Sequence, residues 1–148
     1  MIVSAATILE NAVSELLETR LDAQQVATES VLERHLISAN RREMNQSWKN
    51  RLKWLRIGFG VSLSSPGDVE LNALIELRNA IAHDGKRFTD RQIANYHEFL
   101  ATRAIVQDKL QVTVQGTAFV LTSRTGHAAL GIARTAAVAL LAEPVSTS

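Results

Sequence analysis

The sequence predicts a mainly α-helical fold: a helical bundle with a small C-terminal β-hairpin and a terminal helix. Apolar residues recur at helical spacing through most of residues 4–106. Only residues 110–122 are rich in β-branched side chains that roughly alternate with other residues. The chain has 148 residues, of which 46% are hydrophobic, so it is long enough to bury one core. We therefore expect a single domain over residues 1–148.

The first three helices follow from stripes of apolar residues. Two long helices are expected to meet around residues 22–28, and a third covers about residues 47–57 and ends at Gly58-Phe59-Gly60. The stripes consist of Ile8, Val13, Leu16, Leu17 and Leu21, then Val31, Leu32, Leu36 and Ile37, and finally Trp48, Leu52, Leu55 and Phe59. Trp48 is therefore expected in the core, whereas Trp54 lies off its stripe and indicates a dimer or partner surface.

Loop and capping residues predict the next two helices. A fourth helix is expected from near Asp68 to Asp84-Gly85, after a loop rich in Ser, Pro and Gly. Thr89 and Gln92 have the spacing of a capping box. They predict the start of a fifth helix that reaches about Val106.

The C-terminal part of the chain has a different pattern. Residues 110–122 are broken by Gly116, which predicts a short β-hairpin. A terminal helix is expected over about residues 126–142, although Gly131 weakens it. Pro144 and the Ser and Thr residues after it predict a frayed end.

The composition excludes several classes of protein. The chain has no cysteine, which excludes disulfides, thiolate metal sites and a cysteine nucleophile. Residues 1–17 lack a basic region and contain Glu10 and Glu15, unlike a signal peptide. The Ala-rich residues 128–142 are too short to span a bilayer, and Arg134 interrupts them. We therefore expect a cytoplasmic protein without a membrane anchor.

The net charge is only +1, but it is unevenly distributed. Residues 1–40 carry six acidic and two basic residues, a net charge of −4, whereas residues 41–56 carry six basic and one acidic, a net charge of +5. Such a field attracts polyanions, and five residues are candidates for RNA binding: Arg41, Arg42, Lys49, Lys53 and Arg56. The alternative is that these cations lie on solvated helix faces and pair with the acidic residues.

Residues 69–84 sort into two faces on an ideal helix. An apolar arc about 160° wide holds six residues, Leu71, Leu74, Ile75, Leu77, Ile81 and Ala82. Arg78 lies inside this arc, so its guanidinium requires a hydrogen-bonding partner or an interface. Four polar residues on the other side form a line that can face a cleft or a second subunit. This polar stripe consists of Asn72, Glu76, Asn79 and His83.

Arg78 and His83 carry side chains suited to RNA cleavage. Arginine binds phosphate with a planar fork, and histidine, with an unperturbed pKa of about 6.5, exchanges protons near neutrality. On a regular helix the two point about 140° apart and cannot reach one phosphate, so we expect Asp84-Gly85 to unwind the last turn around His83. Arg91 and His97 have a similar spacing but lack a neighbouring polar stripe. The alternative for the first pair is a surface histidine at a helix end and a structural arginine.

The segment Leu74–His83, LIELRNAIAH, resembles the signature helix of HEPN domains. These are all-α modules whose ribonuclease-active members carry an R-x4-6-H motif, and the spacing here is R-x4-H. Asn79 matches the polar residue that often follows the arginine. The preceding helix, with WKNRLKW at Trp48–Trp54, is similar to the RiboL-PSP-HEPN type. The resemblance covers residues 5–105 loosely and residues 47–90 well, and it does not include the tail from residue 110.

The resemblance implies a metal-independent endoribonuclease of toxin or phage-defence type, without a cofactor. It implies a homodimer in which the motif helices of two subunits face each other, and RNA as substrate, with an antitoxin or regulatory protein as a further partner. Both copies of His83 would share proton transfer, both copies of Arg78 would hold the phosphate, and Asn79 would position one of them. In related toxins that a partner modifies, a tyrosine stands where this chain has Gly85. The alternative is a non-catalytic HEPN-type module for nucleic-acid binding or dimerisation.

Overall fold

A computed structural model describes residues 1–64 and 66–142. The protein is mainly helical with one two-stranded antiparallel sheet and a terminal helix, so the predicted fold class is confirmed. The predicted frayed end, from Pro144 on, lies outside the described residues. The chain divides into two compact units, which we name the motif unit (residues 1–9 and 63–136) and the second unit (residues 10–62 and the chain from 137 on). The single-domain assignment stays a prediction.

Three helices account for most of the second unit: α1 (Ile2–Ala27), whose first turns belong to the motif unit, α2 (Val31–Met44) and α3 (Trp48–Phe59). The break between α1 and α2 covers residues 28–30, at the end of the predicted range 22–28, and Ser30 provides the cap that starts α2. Its hydroxyl accepts the backbone N–H of Glu33. Helix α3 continues past Gly58 and stops at Gly60, whose φ of 67° is the left-handed conformation that ends helices. Trp48 is buried, as predicted.

The motif unit contains α4 (Gly67–Asp84), α5 (Asp90–Ala94) and α6 (Tyr96–Leu110). The predicted capping box is confirmed, with Thr89 and Gln92 bonded to each other's backbone. The prediction of a single helix from Thr89 to Val106 was wrong, because the chain forms two helices, α5 and α6, with Asn95 between them. The side chain of Asn95 accepts the N–H of Glu98 and so caps α6.

The predicted hairpin is formed by β1 (Thr113–Gln115) and β2 (Ala118–Val120), with Gly116 in the turn at a φ of 61°. The segment after α4 lies along the free side of β2. The N–H of Phe88 donates to the carbonyl of Thr117, and the N–H of Phe119 donates to the carbonyl of Lys86. These bonds pair residues 86–88 with the outer edge of β2 in a short antiparallel bridge.

Three phenylalanines hold this edge to the core of the motif unit. The ring of Phe88 makes edge-to-face contacts with Phe99 and Phe119, each with 5.3 Å between centroids. All three rings are buried. The hairpin, the segment after α4 and helix α6 therefore share one aromatic cluster.

The terminal helix α7 covers Ser123–Ala142 and starts earlier than the predicted residue 126. With 20 residues and a mean hydropathy of 1.3, it is long and apolar enough to cross a membrane, and it is longer than the segment 128–142 that was expected to be too short. The cytoplasmic localisation stays a prediction. The length and composition of one such helix indicate neither a membrane protein nor a cytoplasmic one.

Candidate functional site

Helix α4 is buried around most of its circumference. The predicted apolar arc is buried at Leu71, Leu74, Ile75 and Leu77. Two corrections apply: Ala82 is exposed and Ile81 is only half-buried, whereas Ala73 and Ala80, which lie just outside the arc, are buried. Alanine is small enough to let a neighbouring element approach closely, so its burial gives little signal in a hydrophobic pattern. The polar stripe is consequently the most accessible line along α4.

The four residues of the polar stripe are not equally accessible. Asn72 and His83 are exposed, whereas Glu76 and Asn79 are half-buried. The side-chain amide of Gln92 donates to the carboxylate of Glu76 at 2.6 Å and to its backbone carbonyl at 2.9 Å. Glu76 therefore attaches α5 to α4, a structural role that the prediction of an open stripe did not include.

A small recess lies beside the stripe, between α4 and α6. Its volume is about 200 Å³. It is lined by Val69, Asn72, Ala73, Glu76, Thr102 and Ile105. The stripe thus borders a mostly apolar groove.

Arg78 is half-buried, in agreement with its place in the apolar arc. Its Nη1 donates to the side-chain oxygen of the adjacent Asn79 at 3.1 Å. The amide of Asn79 thus restrains the guanidinium. Its role in positioning a catalytic group, which the resemblance implies, stays a prediction. The structure brings these two side chains together within one chain.

His83 is exposed, in the last turn of α4. The predicted unwinding around it was wrong, because the helix stays regular to Asp84 and ends at Gly85, whose N–H donates to the carbonyl of Ile81. The chain turns away from the helix axis at Gly85, which has a φ of 70°. Arg78 and His83 therefore keep the separation of a regular helix, about 140° around the axis and about 7.5 Å along it.

Two basic residues that the sequence analysis did not select follow directly after Gly85. Lys86 and Arg87 are both exposed. The Nη2 of Arg87 lies 3.4 Å from the hydroxyl of Thr117 in the hairpin turn. In the sequence, the signal for these two residues is a pair of cations immediately beyond the helix end, outside the strongly basic segment 41–56.

The predicted RNA-binding residues lie in the second unit and fall into two groups. Arg41 is paired with the carboxylates of Glu18 at 3.1 Å and Asp22 at 2.7 Å, which is the alternative that the sequence left open. The other four are exposed, namely Arg42, Lys49, Lys53 and Arg56. Within the described second unit, Arg41 thus contributes little free charge.

Arg51, which supplied part of the basic count, is buried in a polar network of the second unit. It pairs with the carboxylate of Glu10 at 2.8 Å, and its Nε donates to the side-chain oxygen of Asn45 at 2.6 Å. Asn45 also accepts the hydroxyl of Ser14 and donates to Glu18. This network joins α1 to α3 and serves structure, because its charges are satisfied internally.

No cluster of three or more His, Asp and Glu side chains suitable for a metal ion occurs in the described residues 1–64 and 66–142. Comparisons with protein-family models, with curated proteins and with solved structures found no match. The residues and geometry of α4 and of the segment after it are therefore the features that bear on function.

Proposed function

We propose that this protein is a metal-independent endoribonuclease that works as a homodimer, of the toxin or defence type. Arg78 and His83 of both subunits would form the active site, with Asn79 as a positioning residue. The observation that carries the proposal is the exposure of His83 at the regular end of α4, five residues after a guanidinium that Asn79 restrains.

The chemistry requires more groups than one chain supplies. When the 2′-hydroxyl of RNA attacks the adjacent phosphorus, the new O2′–P bond replaces the P–O5′ bond. A base removes the proton of the 2′-hydroxyl, an acid protonates the leaving 5′-oxygen, and a cation stabilises the charge on the phosphoryl oxygens. One imidazole cannot hold both protonation states at once. Two copies of His83 would supply the base and the acid.

Helical geometry supports the same conclusion. Because α4 stays regular through Asp84, Arg78 and His83 of one chain point in different directions. Two-fold symmetry would place the stripe of one subunit opposite that of its partner and bring both copies of His83 to one axis. The guanidinium of Arg78 reaches the stripe through its bond to Asn79, so both copies of Arg78 would lie beside that axis. An interface around Asn72, Glu76, Arg78, Asn79 and His83 would satisfy this arrangement.

The proposal is tested by incubating the wild-type protein and His83→Ala with structured and unstructured RNA in EDTA. We expect the wild type to produce fragments and His83→Ala to cleave about 10²- to 10⁴-fold more slowly. His97→Ala is the matched control, because His97 is also exposed and follows an arginine at a similar spacing. RNA methylated at every 2′-hydroxyl should resist cleavage.

Three results would reject the ribonuclease: no cleavage by the wild type, equal rates for His83→Ala, or a monomer at micromolar concentration. A non-catalytic nucleic-acid-binding module is the second candidate, favoured by the exposed cations of α3. Those cations are Lys49, Lys53 and Arg56. It predicts salt-sensitive RNA binding that is indifferent to His83→Ala.

A further inference from the structure

The segment after α4 holds two cations in a fixed backbone. The N–H of Lys86 closes a tight turn onto the carbonyl of Asp84 at 2.7 Å, and the carbonyl of Lys86 accepts the N–H of Phe119 at 2.9 Å. Arg87 is bridged to Ala118 across the same edge. The next residue, Phe88, is buried in the aromatic cluster. Backbone bonds and a buried ring thus fix both positions, while the two charged side chains stay in solvent.

These cations lie close to the proposed catalytic histidine. Three peptide units separate His83 from Lys86, so their Cα atoms are at most about 11 Å apart. Lys86 and Arg87 are both exposed, whereas the next residue, Phe88, is buried. The contact of Arg87 with Thr117 holds its guanidinium over the hairpin turn.

The charges of Lys86 and Arg87 are not used inside the chain. Across the described residues, neither takes part in an ion pair, in contrast to Arg41 and Arg51, which pair with acids of α1. An exposed cation with a fixed backbone loses less conformational freedom on binding an anion than one on a mobile loop. The pair is therefore available for a ligand that carries negative charge.

We propose that Lys86 and Arg87 form a phosphate-binding subsite that holds the RNA backbone beside the phosphate being cleaved. The inference rests on the proposed function, which supplies RNA as the ligand. In this arrangement the β1–β2 hairpin is a positioning element: it contributes no reacting group, but its backbone fixes the two cations relative to His83. The substrate would be a single strand that extends at least one phosphate beyond the scissile one.

The test is binding of a fluorescein-labelled RNA 12-mer, methylated at every 2′-hydroxyl so that it cannot be cleaved, followed by anisotropy across a salt titration. We expect Lys86→Gln/Arg87→Gln to weaken binding about tenfold at low salt. For a single strand, the loss of two phosphate contacts lowers the slope of log K against log salt by about 1.4. An unchanged affinity and slope would overturn the subsite.

Two further variants make the result specific. Arg34→Gln/Arg134→Gln removes the same charge from exposed positions on α2 and α7 and should change the affinity less than twofold. Lys86→Arg/Arg87→Lys keeps both charges and should bind like the wild type, which shows that charge at these positions sets the affinity. Thermal unfolding of Lys86→Gln/Arg87→Gln at the wild-type midpoint excludes misfolding as the cause. If both double-glutamine variants weaken binding equally, only net charge matters and the subsite is rejected.

The binding assay separates this inference from the proposed function. Failure of the ribonuclease appears as a lack of cleavage of unmodified RNA, which anisotropy with the methylated strand does not measure. If the wild type cleaves RNA but Lys86→Gln/Arg87→Gln keeps its affinity and its KM, the subsite alone fails. If the wild type does not bind the methylated strand, the subsite fails whatever the cleavage assay gives.

Discussion

The side-chain amide of Gln92 donates to both the carboxylate and the backbone carbonyl of Glu76, while its oxygen accepts the N–H of Thr89. One residue therefore completes the cap of α5 and attaches that short helix to α4. A five-residue helix has little stability of its own, so its place depends on such contacts. Glu76 is held on the polar stripe by the same bonds.

Gln92→Ala should destabilise the protein by about 1–3 kcal/mol, because it removes the cap and leaves a half-buried carboxylate with fewer partners. Gln107→Ala is the control, since Gln107 is exposed and its amide oxygen only accepts from Arg103 one turn earlier. Gln107→Ala should change the free energy of unfolding by no more than about 0.5 kcal/mol. Urea unfolding measures both, and equal midpoints would contradict the anchoring role of Gln92.

Gly85→Ala should cost about 1–3 kcal/mol, because a φ of 70° with a ψ of −61° is strained for any residue with a Cβ. The cost is one of backbone conformation, since a Cβ at Gly85 would meet nothing within 4 Å. Gly131→Ala is the matched control: it is also uncrowded but lies inside α7, so it should stabilise by about 0.5–1 kcal/mol. Thermal unfolding of the two variants should shift in opposite directions.

Arg51→Ala should lower the free energy of unfolding by about 2–4 kcal/mol, because it removes the guanidinium that pairs with Glu10 and donates to Asn45. The partial exposure of this ion pair keeps the cost below that of a completely buried pair. Arg56→Ala, an exposed change on the same helix, should stay within about 0.5 kcal/mol. A similar loss for both variants in urea unfolding would show that the network contributes nothing specific.

The proposed composite site predicts a more than proportional loss of activity in mixed dimers. Wild-type chains co-expressed with an equal amount of Arg78→Ala/His83→Ala should retain about a quarter of the wild-type rate, because only the wild-type homodimer keeps a full set of groups. An activity of one half would mean that each chain works alone. Subunit exchange is checked by copurification through a tag on one partner.

Local chemistry was the part of the fold that the sequence predicted best. The capping box at Thr89, the end of α4 at Gly85 and the turn at Gly116 each depend on residues within four positions of one another. The break at Asn95 was missed because helical residues flank it on both sides and only the cap shows the boundary. The burial of Ala73 and Ala80 depends on neighbours far along the chain, which no local pattern reveals.

The contacts around the candidate site differ in how far they reach along the chain. The contact of Asn79 with Arg78 joins adjacent residues, and the positioning of a catalytic group by Asn79 stays a prediction. The bond from Gln92 to Glu76 spans 16 positions, and that from the N–H of Phe88 to the carbonyl of Thr117 spans almost twice as many, so neither follows from spacing. Pairing of Arg41 with Glu18 likewise required the antiparallel approach of two helices.

The bonds from the hairpin to residues 86–88 also set an order of events during synthesis. The backbone bonds of helix α4 are local, so its own hydrogen-bonding partners are present once residue 85 has emerged from the ribosome. The segment that follows it has no partner until residues 117–119 have emerged, about 30 positions later. A nascent chain would therefore carry His83 for some time before the neighbouring cations reach their final places, and a truncation before β1 would leave the motif helix without that support.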